Sequence, residues 1–225
     1  MLIVLEGLDG AGKSTQISLM QSYFQKSGKD VKLLHFPRFD APVYGDMIAR
    51  FLRGELGAID QVHPLVIALL FAGDRNDAAP MLRKWLDEGS VVILDRYVYS
   101  NIAFQCAKTK NESEEEMVRE WILNTEFSVF SIPKPDLNIF LDVPIGFVNR
   151  KLNENRVGEE REYLKGKRDI HEADILFQQI VREIYLSQCG RDSSFIRLDC
   201  SDTDGEMLDS NSIFNMILSQ IQKIG

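Results

Sequence analysis

The chain has 225 residues, of which 44% are hydrophobic and 27% charged, and its formal net charge is −8. This length and balance predict one globular domain, residues 1–225, with a core of ordinary size. The acidic surplus argues against a nucleic-acid-binding protein, which would normally carry an excess of basic residues. Three cysteines stand far apart and form no Cys-x-x-Cys pair, so we expect a reduced, cytoplasmic protein without disulfides or a zinc site.

We expect neither a signal peptide nor a membrane-spanning segment. The N-terminus lacks a basic region, and the longest apolar run, Leu65 to Ala72, is too short to cross a bilayer.

Short apolar runs alternate with helical patterns along the chain. Strands are predicted, in order, at "MLIVLEG", "VKLLHF", "SVVILDRY", "LNIFLDV" and "SFIRLDC". Apolar spacing predicts helices over residues 13–26, 47–53, 64–77, 79–88, 112–125, 146–154, 169–188 and 211–224. The alternation predicts an α/β fold with a parallel β-sheet and helices on both faces.

The loop after the first strand fits Gly-x-x-x-x-Gly-Lys-Ser and leads into a predicted helix. Its glycines let the backbone curl around an anion, with N–H groups aimed at phosphates. Lys13 supplies a positive charge for the β- and γ-phosphates, and the Ser14 hydroxyl can ligate Mg²⁺. The loop therefore predicts a nucleoside triphosphate site, formed by Gly7, Leu8, Asp9, Gly10, Ala11, Gly12, Lys13, Ser14 and Thr15.

Two charged residues end the third predicted strand, at the sheet edge where ligands bind in parallel α/β folds. Asp95 there can hold Mg²⁺, directly or through water; a capping role at the strand end is the alternative. Arg96 follows a buried strand, which favours a phosphate-facing role over simple solvation.

Other candidates follow from the need to bind an acceptor. Phe71 and Arg75 share a helix face and suit a nucleobase, although Phe71 also fits a plain core position. Arg38 follows the second strand and is either a second phosphate contact or a surface arginine. The basic residues among 156–168 form either a solvated loop or a mobile segment that brings cations to the phosphoryl group.

The whole chain resembles the thymidylate kinase family. The segments that carry the resemblance are "EGLDGAGKST", "FPRFD", "LLFAGDR", "ILDRYVYSNIAF", "PKPDLNIFLDV" and "DIHEAD". It implies a P-loop fold of the nucleoside monophosphate kinase type, with a lid at about 150–168. It also implies transfer of the γ-phosphoryl group of ATP to dTMP, with Mg²⁺, by a cytoplasmic homodimer in dTTP biosynthesis.

The resemblance also implies roles for single residues. Phe36 and Phe71 would enclose the thymine, and Phe104 would crowd the sugar 2′ position. The positions that would bind dTMP are Asp9, Phe36, Arg38, Phe71, Arg75, Arg96, Ser100, Asn101 and Phe104. The catalytic positions would be Lys13, Arg96, Asp9, Arg156 and Arg161.

The P-loop decides between two subtypes of the family. Some members carry an arginine where this chain has Gly10, and those without it supply the cation from the lid. Arg156 and Arg161 are therefore both candidates for contact with the transition state. Phe39 and Phe104 stand where tyrosine is common in the family, so any contact of those hydroxyls is lost.

Three other functions compete with this interpretation. A kinase for another monophosphate or for a deoxynucleoside would differ in its choice of acceptor. A regulatory GTPase would read guanine through an Asn-Lys-x-Asp segment, which the sequence lacks. A catalytically silent nucleotide-binding module is disfavoured by the intact Lys13, Ser14 and Asp95.

Overall fold

The structure, a computed structural model, describes residues 1–59, 61–153, 164–165 and 175–224. Five strands form one sheet within this part of the chain. They are β1 (Leu2–Glu6), β2 (Val31–His35), β3 (Val91–Asp95), β4 (Leu137–Asp142) and β5 (Phe195–Asp199). Every neighbouring pair is parallel, in the spatial order β2-β3-β1-β4-β5. The predicted parallel α/β fold is confirmed.

Helices connect and cover these strands. They are α1 (Lys13–Lys26), α2 (Tyr44–Leu52), α3 (Pro64–Asp87), α4 (Val98–Cys106), α5 (Glu112–Leu123), α6 (Ile145–Asn153), α7 (Ile175–Arg191) and α8 (Ser210–Ile221). A π-helical segment, Asn124–Val129, continues α5. Helices α1 and α8 pack together on one face, and α3, α4 and α7 pack in sequence on the other. Crossovers between parallel strands are normally right-handed, and their direction along the sheet reverses after β2, so helices are expected on both faces.

The helices of the structure differ from the predicted ones in three main places. Helix α3 is continuous where two helices were predicted, because Pro80 lies on its exposed side while flanking residues such as Ala79 and Leu82 stay buried in the core. Helix α4 was missed because all its residues are buried, which leaves no polar face and therefore no helical period. Helix α2 begins at Tyr44 rather than at residue 47.

The sheet brings the ends of its central strands together. All five residues of β1 are buried, and Leu5 and Glu6 at its end pair with Asp95 of β3 and Phe140 of β4. Polar residues that follow β1 and β3 therefore converge over one edge of the sheet. Among the described residues, no helix has both the length and the apolarity needed to cross a membrane.

Candidate active site

The loop between β1 and α1 encloses an anion-binding geometry. Gly10 and Gly12 both have φ of 79°, a left-handed conformation that glycine adopts without strain. Lys13 begins α1, and its Nζ donates back to the carbonyl oxygens of Gly7 at 3.3 Å and Leu8 at 3.1 Å. The N-terminus of α1 thus carries a buried ammonium group beside free helix N–H groups, which favours phosphate binding.

A cavity of about 550 Å³ lies over this helix terminus. Its walls are Gly10, Ala11, Gly12, Lys13, Ser14, Thr15, Gln16, Phe147, Lys151, Met207, Leu208 and Ser210. The predicted P-loop residues from Gly10 onward therefore share one cavity with the start of α8 and with α6. Sequence reasoning did not single out Phe147 and Lys151, which enter the cavity from the helix after β4.

Asp95, at the end of β3, faces Lys13. Its Oδ1 lies 3.9 Å from Lys13 Nζ, and its Oδ2 lies 3.4 Å from His35 Nδ1. Burial by itself would raise the pKa of Asp95, but Lys13, His35 and Arg96 together lower that pKa to about 2. Asp95 is therefore an ionised carboxylate at neutral pH. Its Oδ1 is buried and accepts no hydrogen bond from any described residue.

Arg96 and Asp9 form an ion pair across the crevice. Arg96 Nη2 donates to Asp9 Oδ1 at 2.7 Å, and Gln178 Nε2 donates to Asp9 Oδ2 at 3.3 Å. The Arg96 guanidinium lies 5.1 Å from the centre of the Phe104 ring. Three predicted site residues are thus brought together: Asp9 on the P-loop, Arg96 directly after β3 and Phe104 on α4. Gln178 on α7 was not predicted.

A buried carboxylate, Glu6, lies beneath Arg96, and sequence reasoning missed it. Its Oε1 accepts from the N–H groups of Tyr97 at 2.9 Å and Ser100 at 3.2 Å. Its Oε2 accepts from the hydroxyl groups of Ser100 and Tyr185, the latter at 3.1 Å. Burial raises the pKa of Glu6, against the opposing effects of Ser100 and Arg96. A lone acidic residue in an otherwise apolar strand was the signal in the sequence.

Arg75 is held by a second buried carboxylate that was also missed. Its Nε and Nη2 donate to both oxygens of Glu126, the Nη2 bond measuring 2.7 Å. Asn101 Nδ2 donates to Glu126 Oε1 at 3.0 Å and to the Ala68 carbonyl at 3.1 Å. Arg75 and Asn101, predicted as base contacts, are therefore adjacent. Asn101 Oδ1 is buried and has no hydrogen-bond partner among the described residues.

The two aromatic residues predicted to enclose the thymine differ in environment. Phe36 is buried, with its ring centre 5.7 Å from that of Tyr97. Phe71 is half-buried and packs against a small apolar cluster that includes Ile48 and Phe51. Phe71 therefore keeps an accessible part on the same helix as Arg75.

Arg38 is engaged by acidic residues of α3. Its Nε donates to Asp74 Oδ1 at 2.8 Å, and its Nη2 donates to Asp77 Oδ2 at 2.6 Å. Only 14% of its side chain is exposed. The alternative of a solvated surface arginine is wrong, because Arg38 ties the loop after β2 to α3.

Part of the predicted site lies outside the described residues. Arg156 and Arg161 belong to this part, as does the "DIHEAD" segment. Of the predicted lid, 150–168, the structure describes residues 150–153 and 164–165.

Comparisons with known proteins identify relatives of this chain. The sequence profile of the family described as thymidylate kinase matches residues 5–210. Thymidylate kinase of Mycobacterium tuberculosis is 34% identical over 185 residues, covering 82% of this chain and 84% of that protein. The probable thymidylate kinase of Thermococcus kodakarensis is 38% identical, covering 71% of this chain and 75% of that protein.

A solved structure extends the comparison to the fold. The structure of thymidylate kinase from Candida albicans superimposes with a TM-score of 0.74 at 24% identity. The match covers 99% of this chain and 91% of that one. With a family profile matched over most of its length and relatives above 30% identity, this chain belongs to the thymidylate kinase family.

Proposed function

We propose that this chain is a dTMP kinase that transfers the γ-phosphoryl group of ATP to dTMP and releases ADP and dTDP, a step in dTTP supply. The observation that carries the proposal is the ion pair of Asp9 and Arg96, which stands beside the P-loop cavity. A nucleoside monophosphate kinase needs a triphosphate site and a facing cation for the acceptor phosphate. The ends of the adjacent strands β1 and β3 supply both.

The P-loop half of the site binds ATP. Backbone N–H groups at the start of α1 and the Lys13 ammonium group neutralise the β- and γ-phosphates. Lys13 is buried and bound to two carbonyl oxygens and lies near Asp95, so its charge is positioned before substrate arrives.

The facing half binds dTMP. The accessible part of Phe71 stacks on the thymine, and Arg75 and Asn101 lie at its edge. Thymine N3–H is a donor, and the unpartnered Asn101 Oδ1 is a buried acceptor that this donor would satisfy. Phe104, beside Arg96, crowds the sugar 2′ position and favours deoxyribose.

The γ-phosphoryl group is transferred by in-line displacement. A phosphate oxygen of dTMP forms a bond to the γ-phosphorus while the bond to the bridging oxygen of ATP breaks, and ADP leaves. The acceptor is already an anion, so no strong general base is required. Catalysis consists of positioning and charge neutralisation, supplied by Lys13, Arg96 and the proposed lid residues Arg156 and Arg161.

Ser14 and Asp95 fit a magnesium site. The Asp95 carboxylate presents a buried Oδ1 that no described residue satisfies, and the Ser14 residue is exposed at the P-loop. No cluster of three or more His, Cys, Asp or Glu residues that could hold a metal occurs among the described residues. Mg²⁺ usually binds through one or two protein oxygens together with substrate phosphates, so such a cluster is not required. When bound, the ion neutralises charge on the β- and γ-phosphates.

Asp95→Asn tests this assignment. We expect the half-saturating Mg²⁺ concentration to rise by about tenfold, because the variant loses a carboxylate that orients the metal or its water. His35→Ala is the control, because it removes a side chain that contacts Asp95 but keeps the Asp95 carboxylate. Its half-saturating Mg²⁺ concentration should stay close to that of wild type. Titration of activity with Mg²⁺ at fixed ATP measures both. Equal Mg²⁺ dependence of Asp95→Asn and wild type would contradict the assignment.

The remaining family features are part of the proposal. They are a single domain with a lid at 150–168, a homodimer and a cytoplasmic location. Support comes from family membership and from the low cysteine content.

A coupled ADP-release assay tests the proposed function. The rate of ADP release by wild-type protein with Mg-ATP is measured with dTMP, with dUMP, with thymidine and without an acceptor. We expect strong turnover with dTMP and little with thymidine, because the arginines of the site select a phosphorylated acceptor. Turnover with thymidine, or none above the rate without acceptor, would contradict the assignment.

A further inference from the structure

The inner side of the Arg96 guanidinium is held by two hydroxyl groups. Arg96 Nη1 donates to Ser100 Oγ at 3.0 Å and to Tyr185 Oη at 3.3 Å, which uses both of its N–H groups. Both hydroxyls in turn donate to Oε2 of Glu6. The buried Glu6 carboxylate is therefore linked to the Arg96 guanidinium by hydrogen bonds through the hydroxyl groups of Ser100 and Tyr185.

The other oxygen of Glu6 fixes the backbone beside Arg96. Glu6 Oε1 accepts from the N–H groups of Tyr97 and Ser100, the N-terminal turn of α4. Tyr97 precedes the first residue of this helix and does not cap it with its own side chain. Glu6, reaching over from β1, thus satisfies N–H groups that a helix N-terminus leaves unpaired. Arg96 itself has φ of 67°, unusual for a residue other than glycine, so its backbone needs such support.

We infer that Glu6 and Tyr185 are positioning residues that fix the Arg96 guanidinium for the acceptor phosphate. The inference rests on the proposed function. With Nη1 bound to two hydroxyls and Nη2 to Asp9, the plane of the guanidinium is set. Its Nε hydrogen and the second hydrogen of Nη2 bond to no described residue. These donors are available to phosphate oxygens, and an arginine ordered in advance loses less conformational entropy when it binds them.

A purely structural role must be separated from positioning. Tyr185 is fully buried, its ring is stacked on Phe140 at 4.7 Å, and burial raises the pKa of its hydroxyl well above the ordinary value. Removing the hydroxyl will therefore cost some stability in either case. The two roles differ in which substrate is affected.

Tyr99 provides a matched control. It is also a buried tyrosine, its ring is stacked on Phe195 at 4.0 Å, and its hydroxyl also donates to a carboxylate, that of Asp192. Tyr99→Phe and Tyr185→Phe therefore each remove a hydroxyl that donates to a carboxylate, but only the Tyr185 hydroxyl also contacts Arg96 and Ser100. The Tyr99 hydroxyl makes no contact with Arg96 or Glu6 among the bonds the structure describes.

The experiment measures kcat and KM for dTMP and for ATP, together with thermal unfolding, in both variants. We expect Tyr185→Phe to lower kcat/KM for dTMP by about tenfold, the equivalent of one hydrogen bond, and to leave KM for ATP within about twofold of wild type. Tyr99→Phe should also lose thermal stability, because its hydroxyl donates to Asp192, but it should keep kcat/KM for dTMP within about twofold of wild type. Equal effects of the two variants on kcat/KM for dTMP would overturn the inference.

Glu6→Gln provides a second measurement. It keeps the shape of the side chain but replaces one acceptor oxygen by an amide donor. The hydroxyl groups of Ser100 and Tyr185 must then change the direction of their hydrogen bonds. We expect a loss of about tenfold in kcat/KM for dTMP with little change in KM for ATP. A variant that loses only thermal stability would count against positioning. Absence of dTMP-dependent turnover in wild-type protein would instead overturn the proposed function itself.

Discussion

Arg96→Ala is expected to lower kcat/KM for dTMP by about 10³-fold or more, the range reported for arginines that neutralise charge in phosphoryl transfer. The physical reason is that Arg96 is a buried cation next to the P-loop, where we propose that the acceptor phosphate binds. It pairs with Asp9 at 2.7 Å and lies against Phe104. Its loss leaves the Asp9 carboxylate without its ion-pair partner beside the proposed acceptor phosphate.

Two further variants make this result specific. Arg96→Lys keeps the charge but not the planar fork, so it should recover only part of the lost rate. Arg83→Ala is the control, because Arg83 is an exposed arginine that donates to the Ser131 carbonyl; its kcat/KM should stay within about twofold of wild type. Steady-state kinetics with varied dTMP at saturating Mg-ATP measures all three. An unchanged kcat/KM in Arg96→Ala would show that the acceptor site has been placed wrongly.

The P-loop could be predicted from the sequence because its chemistry is local. Gly7 to Ser14 form a contiguous backbone curl, and the strand before it and the helix after it are visible in the pattern. The place of Asp95 and Arg96 beside the P-loop could be predicted for a related reason, since parallel strands end at one edge of the sheet.

The partners of the predicted cations could not be found in this way. Glu126 is 51 residues from Arg75, and Tyr185 is 89 residues from Arg96. Glu126 lies in a π-helical segment, and such short segments do not show the regular spacing of apolar residues that reveals an α-helix in a sequence. Such contacts depend on how α3, α4 and α7 pack, and one sequence does not specify that packing.

Helix α4 shows the same limit for secondary structure. A helix is usually detected through the contrast between an apolar and a polar face, and α4 is buried on every side. It nevertheless carries Ser100, Asn101 and Phe104, all of which were predicted as site residues from family resemblance. Resemblance thus singled out these residues as candidates, and only the structure showed that one helix carries them.

Glu126→Ala is expected to destabilise the protein by about 3–5 kcal/mol, because it leaves a buried arginine without its counter-ion. Arg75 is 1% exposed and remains charged throughout the accessible pH range. It therefore cannot avoid the free-energy cost of an unpaired buried charge by losing a proton. Asn101 loses a hydrogen-bond acceptor in the same change. Urea unfolding at pH 7 measures the loss of stability, and an effect below about 1 kcal/mol would contradict a buried ion pair in this position.

A double variant separates stability from recognition. In Arg75→Met/Glu126→Leu both charges are replaced by apolar side chains of similar volume, a change that is often neutral or favourable for stability. We expect most of the stability lost in Glu126→Ala to return, while kcat/KM for dTMP falls below that of wild type because the proposed thymine site has lost the Arg75 donor. Recovery of both quantities would mean that Arg75 serves only the fold. Recovery of stability alone would show that dTMP recognition needs the Arg75 side chain, which Glu126 holds through two hydrogen bonds.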